Sequence, residues 1–161
     1  MSMKWADTSR TGLPFSKDPS VIRFGGRYLL YYSLPPATGE TAWGIGIAES
    51  SDLEHWSKIG EVLPLQACEA NGLCAPGARV LGGKVHLFYQ TYGNGPADAI
   101  CHAVSCDGLH FERDASNPIF HPQGAWTVGR AIDAEVIPFN GRLMLYCATR
   151  DPQMRIQMLA A

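Results

Sequence analysis

Three stretches of this chain can be laid under one another: "DPSVIRFGGRYLLYYS" from Asp18, "APGARVLGGKVHLFYQ" from Ala75 and "DAEVIPFNGRLMLYCA" from Asp133. Each carries a glycine eight residues after its first position (Gly26, Gly83, Gly141), followed at once by a basic residue (Arg27, Lys84, Arg142). The starts lie 57 and then 58 residues apart. A second match runs behind the first: "SSDLEHW" at 50–56 pairs with "SCDGLHF" at 105–111, with an offset of 55. A repeat of this length limits the fold more than any other feature. One such unit cannot bury its apolar surface alone, so its copies must stack.

Each unit reads as four short strands. In the first, residues 19–24 run to the Gly25-Gly26 hairpin turn and residues 27–33 return. "WGIGIAES" supplies a third strand, the Ser-x-Asp segment turns, and "WSKIGEVL" supplies a fourth. The second strands, "RYLLYYS", "KVHLFYQ" and "RLMLYCA", do not alternate but are apolar on both faces, as expected of a sheet packed between two neighbours. Four antiparallel strands repeating at this period predict an all-β fold of β-propeller blades.

The expected organisation is a single domain over 1–161, with blade one at about 18–64, blade two at about 75–120 and blade three at about 133–161. That is fewer than the roughly four to eight blades of a closed ring. Residues 1–17 are expected to supply a closing strand to the third blade of their own or a partner chain. A homodimer would make a six-bladed ring with two-fold symmetry.

Composition excludes several classes. A net charge of −2 with no Lys/Arg cluster argues against nucleic acid, and no apolar run reaches the length of a membrane span. "MSMKWADTSR" lacks the apolar centre of a signal peptide, so the expected location is cytoplasmic. The five cysteines (Cys68, Cys74, Cys101, Cys106, Cys147) include no C-x-x-C pair and read as small core residues in a reducing compartment.

Asp18-Pro19 at the start of the first inner strand, the "SSDLEHW" turn, "APGARVLGGKVHLFYQTYG" and "AIDAEVIPFNGRLMLYCATRD" together resemble the five-bladed propeller glycosidases. These are glycoside hydrolase families 43, 32, 62 and 117, and the resemblance is closest to the family 43-like group. It covers nearly the whole chain but only the first half of such an enzyme. It implies a carbohydrate ligand or substrate, with Asp18 as general base of an inverting hydrolysis and Asp133 orienting the acid and tuning its pKa. The general acid is usually a Glu at the start of the fourth blade, which this sequence lacks, so Glu135 is the one substitute it offers. A chain without that acid fits a non-catalytic carbohydrate-binding or inert fragment as the alternative.

Two carboxyl groups are what glycoside hydrolysis requires, one to protonate the leaving oxygen and one to activate water. A third carboxylate nearby raises the acid's pKa by like-charge repulsion. Asp133 and Glu135 are two apart on an expected strand and so share a face. Arg79 and Arg130, at inner-strand starts, either bind sugar hydroxyls or neutralise these acids. Trp43 and Trp126 either stack on a sugar ring or belong to the core. No cofactor is required, although a cation such as calcium in the central channel could bridge Asp18, Asp133 and Glu135. Asp52, Asp107, His55 and His110 read as turn residues.

Overall fold

In the computed structural model, residues 4–155 are described in full, apart from a backbone-only strand at 157–160. Eleven strands fall into three antiparallel sheets among the described residues. The first holds β1 (Lys17–Phe24), β2 (Arg27–Leu34), β3 (Gly44–Ser50) and β4 (Ser57–Val62) in chain order. The second repeats it with β5 (Leu73–Leu81), β6 (Lys84–Thr91), β7 (Ile100–Ser105) and the short β8 (Glu112–Arg113). The third holds β9 (Ile132–Phe139), β10 (Arg142–Arg150) and β11 (Gln157–Ala160). These are the blades of an incomplete propeller, two whole and one of three strands. Each inner hairpin closes on a Gly-containing turn in left-handed backbone: Gly25-Gly26, Gly82-Gly83 and Asn140-Gly141.

The doubly apolar second strands have two separate explanations. Leu29 and Tyr31 of β2 face the second sheet, where they join Ile45, Ile47, Leu73, Leu87 and Tyr89 in the main core. Leu30 and Tyr32 point the other way and are covered by Trp5 and Trp56. On β6, Phe88 turns toward the third sheet and packs with Ala134, Val136 and Cys147. The sheets therefore stack face to face, as the repeat requires.

Within this chain, residues 4–16 do not extend the third sheet; they fold over the outer face of the first. Trp5 meets Tyr32 edge-on at 6.0 Å. The Tyr32 hydroxyl donates to Asp7 at 2.8 Å, and Arg10 donates to Glu61 at 2.7 Å. Burying Tyr32 demands a partner for its hydroxyl, and Asp7, itself buried, provides one. Val21 and Leu53 remain exposed on this face, beside a cleft of about 570 Å³. On the third sheet Ile137, Phe139, Leu143 and Tyr146 are exposed.

The two Ser-x-Asp turns are superimposable in their bonding. Asp52 Oδ1 accepts from the backbone N–H of Glu54 and His55, and Asp107 Oδ1 accepts from those of Leu109 and His110. Each aspartate also holds its histidine ring, at 2.8 and 2.7 Å. These bonds push both carboxyls well below the usual range, the His55 contacts leading for Asp52 and the His110 contacts for Asp107. All five cysteines are free, and Cys74, Cys101 and Cys147 are buried.

Candidate active site

The first residue of each repeat has a backbone that side chains rarely adopt. Asp18, Ala75 and Asp133 have φ of 53°, 48° and 56°. For non-glycine residues this left-handed conformation costs on the order of 1–3 kcal/mol and persists only where the surroundings enforce it. In all three sheets the pairing slips at this point: between Lys17 and Ser20, between Cys74 and Gly77, and between Tyr146 and Ala148 opposite β9. A bulge re-aims a side chain out of the pleat, and here it falls at the strand-opening residue of each sheet.

For Ala75 and Asp133 the enforcing contacts come from the preceding sheet. Ser33, near the end of β2, accepts the Ala75 N–H at 2.8 Å, and Gln90, at the matching place on β6, accepts the Asp133 N–H at 2.8 Å. Both side chains are buried. Ser33 also donates its hydroxyl to Asp18 Oδ2 at 2.7 Å, and the Lys17 ammonium lies 3.5 Å from the same oxygen.

Asp133 feels the charge of Asp18. The Asp133 carboxyl is held above its ordinary value, first by loss of hydration among the surrounding atoms and then by the Asp18 charge, with Lys17 and Arg130 opposing. Burial pushes the neighbouring Cys74 thiol up to about 12, so it stays neutral. Glu135 takes a different place. Its carboxylate pairs with Arg79 at 2.8 Å, in a polar groove of about 500 Å³ bordered by Ser20, Arg23, Ala78 and Arg79 from the adjoining inner strands. Thus Arg79 serves Glu135, and Arg130 faces the buried Asp98 at 3.4 Å. Among the described residues no group of three or more His, Cys, Asp or Glu side chains is placed to hold a metal ion.

The two tryptophans divide. Trp43 packs between Phe15 at 5.6 Å and Tyr92 at 5.2 Å, and a Cβ on Gly72 would lie only 2.6 Å from its backbone nitrogen. It is part of the seam between the first two sheets. Trp126, 48% exposed on the loop before β9, is free to stack on a ligand. Ser33, Gln90 and Asp98 are site neighbours that sequence reasoning missed. The repeat alignment already placed Ser33 and Gln90 in equivalent positions 57 residues apart, which was the available signal; Asp98 had none.

The model of the glycosyl hydrolases family 32 N-terminal domain matches residues 15–158. The chain belongs to this family. The broader likeness to family 43 is thereby narrowed to family 32. A sucrose-6-phosphate hydrolase of Zymomonas mobilis is 36% identical to the family 32 domain over 110 residues, which is 60% of this chain and 21% of that protein. The chain thus spans about a fifth of the length of the curated relatives it matches. Among solved structures, a sucrose-6-phosphate hydrolase from Lactobacillus gasseri superposes with a TM-score of 0.75 at 17% identity, covering 89% of this chain and 30% of that one. A Bombyx mori family 32 β-fructofuranosidase gives 0.67 at 20% identity, covering 84% and 30%. At such identities these two structures speak for the fold.

Proposed function

We propose that this family 32 domain binds a fructoside such as sucrose or its phosphate at the end of the channel where Asp18 and Asp133 meet, and that Asp18 attacks the glycosidic carbon. One observation carries the reading: Asp18 is held out of the strand in left-handed backbone, hydrogen-bonded through one oxygen and within reach of the Asp133 charge. The names of the relatives support the substrate class.

Family membership replaces the inverting scheme with a retaining one. In retaining hydrolysis the first carboxylate is a nucleophile rather than a base, with its partner carboxyl only about 5–5.5 Å away. Asp18 would form an ester to the sugar while the leaving oxygen takes a proton from the acid. Water then cleaves the ester, giving its proton to that same residue. Asp133, kept close by the Gln90 contact, suits a role beside the reacting sugar, orienting hydroxyls. Glu135 is engaged by Arg79, so we assign the proton donor to a carboxyl outside the three sheets described. This chemistry needs no cofactor.

Exposed apolar side chains on two faces, Val21 and Leu53 beside the N-terminal segment on one and Ile137, Phe139 and Leu143 on the other, also support the six-bladed dimer for this chain taken alone. Light scattering across a dilution series tests it, and a monodisperse monomer rejects it. For the catalytic reading, sucrose and sucrose 6-phosphate hydrolysis is compared in the wild type and Asp18→Asn, with binding followed by calorimetry. Loss of turnover with retained binding is expected. Binding without turnover in the wild type would instead favour a carbohydrate-binding module.

A further inference from the structure

We propose that Ser33 is a positioning residue for Asp18, its hydroxyl fixing the carboxylate's orientation and tying it to the seam between the first and second sheets. The inference rests on Asp18 being the reacting carboxylate, and it deepens that reading by naming what holds it.

The direction of each bond follows from the groups involved. A serine hydroxyl has one proton and two lone pairs. The Ala75 N–H can only donate, so it occupies a lone pair of Ser33 Oγ at 2.8 Å. Asp18, as a carboxylate, can only accept, so the single hydroxyl proton goes to its Oδ2 at 2.7 Å. Ser33 is fully buried, so water does not compete for either bond. Three elements are joined through one oxygen: β1 carries Asp18, β2 carries Ser33, and β5 begins its bulge at Ala75.

Comparison within the chain shows what is special about Ser33. Gln90, at the equivalent place, catches the Asp133 N–H with its amide oxygen. Its longer side chain performs the backbone-catching task alone. Ser33 performs that task and has a proton left to give, and a carboxylate on its own strand pair receives it. An orienting bond on Oδ2 restricts rotation about the Cβ–Cγ bond and leaves Oδ1 as the oxygen aimed at the ligand. Holding a nucleophile in one geometry is worth large factors in rate, because small displacements from the attack line are costly.

The charged groups facing Asp18 are Lys17 on its own strand and Asp133 on β9, with the neutral Cys74 thiol nearby. None of these reproduces the Ser33 bond, since Lys17 stands at 3.5 Å.

The test compares wild type, Ser33→Ala and Ser33→Thr by the carbon NMR shift of the Asp18 carboxyl at neutral pH, together with hydrolysis rates. Removing the hydroxyl that donates to Oδ2 displaces that carboxyl shift in Ser33→Ala. Ser33→Thr, which keeps a hydroxyl, restores it. Turnover falls roughly 10–100-fold in Ser33→Ala with KM nearly unchanged. An unmoved carboxyl shift in a folded Ser33→Ala overturns the proposal. If the wild type hydrolyses nothing while the carboxyl shift still moves and is rescued by Thr, the catalytic reading fails and the positioning of the carboxylate stands.

Should the variants not fold, the unmutated protein answers the question. The Ser33 hydroxyl proton, buried and held by Asp18, must give its own slowly exchanging NMR signal with a close contact to the Ala75 amide proton. Absence of that signal refutes the linkage.

Discussion

Replacing Glu69 by Gln is the most severe near-isosteric change the structure suggests. Glu69 lies in a short 3₁₀ turn (Ala67–Glu69) between the first and second sheets and is completely buried. Its carboxylate receives four donors: the Tyr89 hydroxyl at 2.5 Å and Arg113 Nε at 2.9 Å on one oxygen, and the Leu65 and Gln66 N–H at 2.7 and 3.2 Å on the other. A glutamine must turn an NH₂ toward one of these pairs. Facing the two backbone N–H groups, it strands both. Facing the other pair, Tyr89 can reverse its hydroxyl, but Arg113 keeps a guanidinium, only 6% exposed, without an anion. Arg113 retains the Leu63 carbonyl at 2.8 Å and the Tyr89 ring at 5.6 Å, neither of which neutralises it.

Breaking a buried pair from one side costs about 3–5 kcal/mol. At the low end that lowers Tm by roughly 6–12 °C for a chain of this size. Urea unfolding of Glu69→Gln, and of Glu69→Gln with Arg113→Met, measures it. The double variant should recover part of the loss, because an apolar pair can replace a buried ion pair. A single-variant loss below about 1 kcal/mol would mean that water or a rearranged Arg113 satisfies the site, and the account of this network would be wrong.

Other expectations follow from the same contacts. Gly108→Ala places a Cβ 2.4 Å from Leu29 Cδ1 in backbone of φ +80°, and should destabilise by about 2–5 kcal/mol in urea unfolding with an unchanged m-value. Trp43→Ala should lower stability by about 3–5 kcal/mol, whereas Trp126→Ala should leave Tm nearly unchanged and weaken sugar binding measured by calorimetry. The Asp114 carboxyl is drawn down to about 2, chiefly by Ser116 and also by His102, and Asp52 and Asp107 lie lower still. Such groups give stability that is present above their unfolded pKa near 4 and lost as pH falls through the folded values. Tm should therefore drop between pH 4 and 2, and Asp114→Asn should flatten the upper part of that slope.

Sequence alone revealed the repeat because stacked sheets impose matching patterns: glycine turns, doubly apolar second strands, and Ser-x-Asp turns whose bonds recur atom for atom. It singled out Asp18 and Asp133 for the same reason, since both open a repeat. It did not reveal that their backbones are left-handed; at Asp133 that conformation is held by Gln90 across the seam rather than by Asp itself. The resting place of residues 4–16 in this chain was not legible because nothing in "MSMKWADTSR" repeats; the bare Tyr32 face and its hydroxyl decide where Trp5 and Asp7 go. Glu69 reads in sequence as one surface acid among fifteen acidic residues, and its burial is set by Arg113, 44 residues away.

The hooks between sheets also bear on how the molecule comes apart. Ser33 grips the start of the second sheet and Gln90 the start of the third, so each unit can hold its neighbour's first residue only while its own second strand is formed. Stacked repeats of this kind behave as a one-dimensional chain of coupled units, with stability passed along nearest neighbours. Ala148 stands 58 residues after Gln90, where the next hook would be, and has no oxygen to offer. The cooperative coupling therefore runs through two links and stops, which makes β9 and β10 the end from which amide exchange should spread and the first two sheets the unit that opens last.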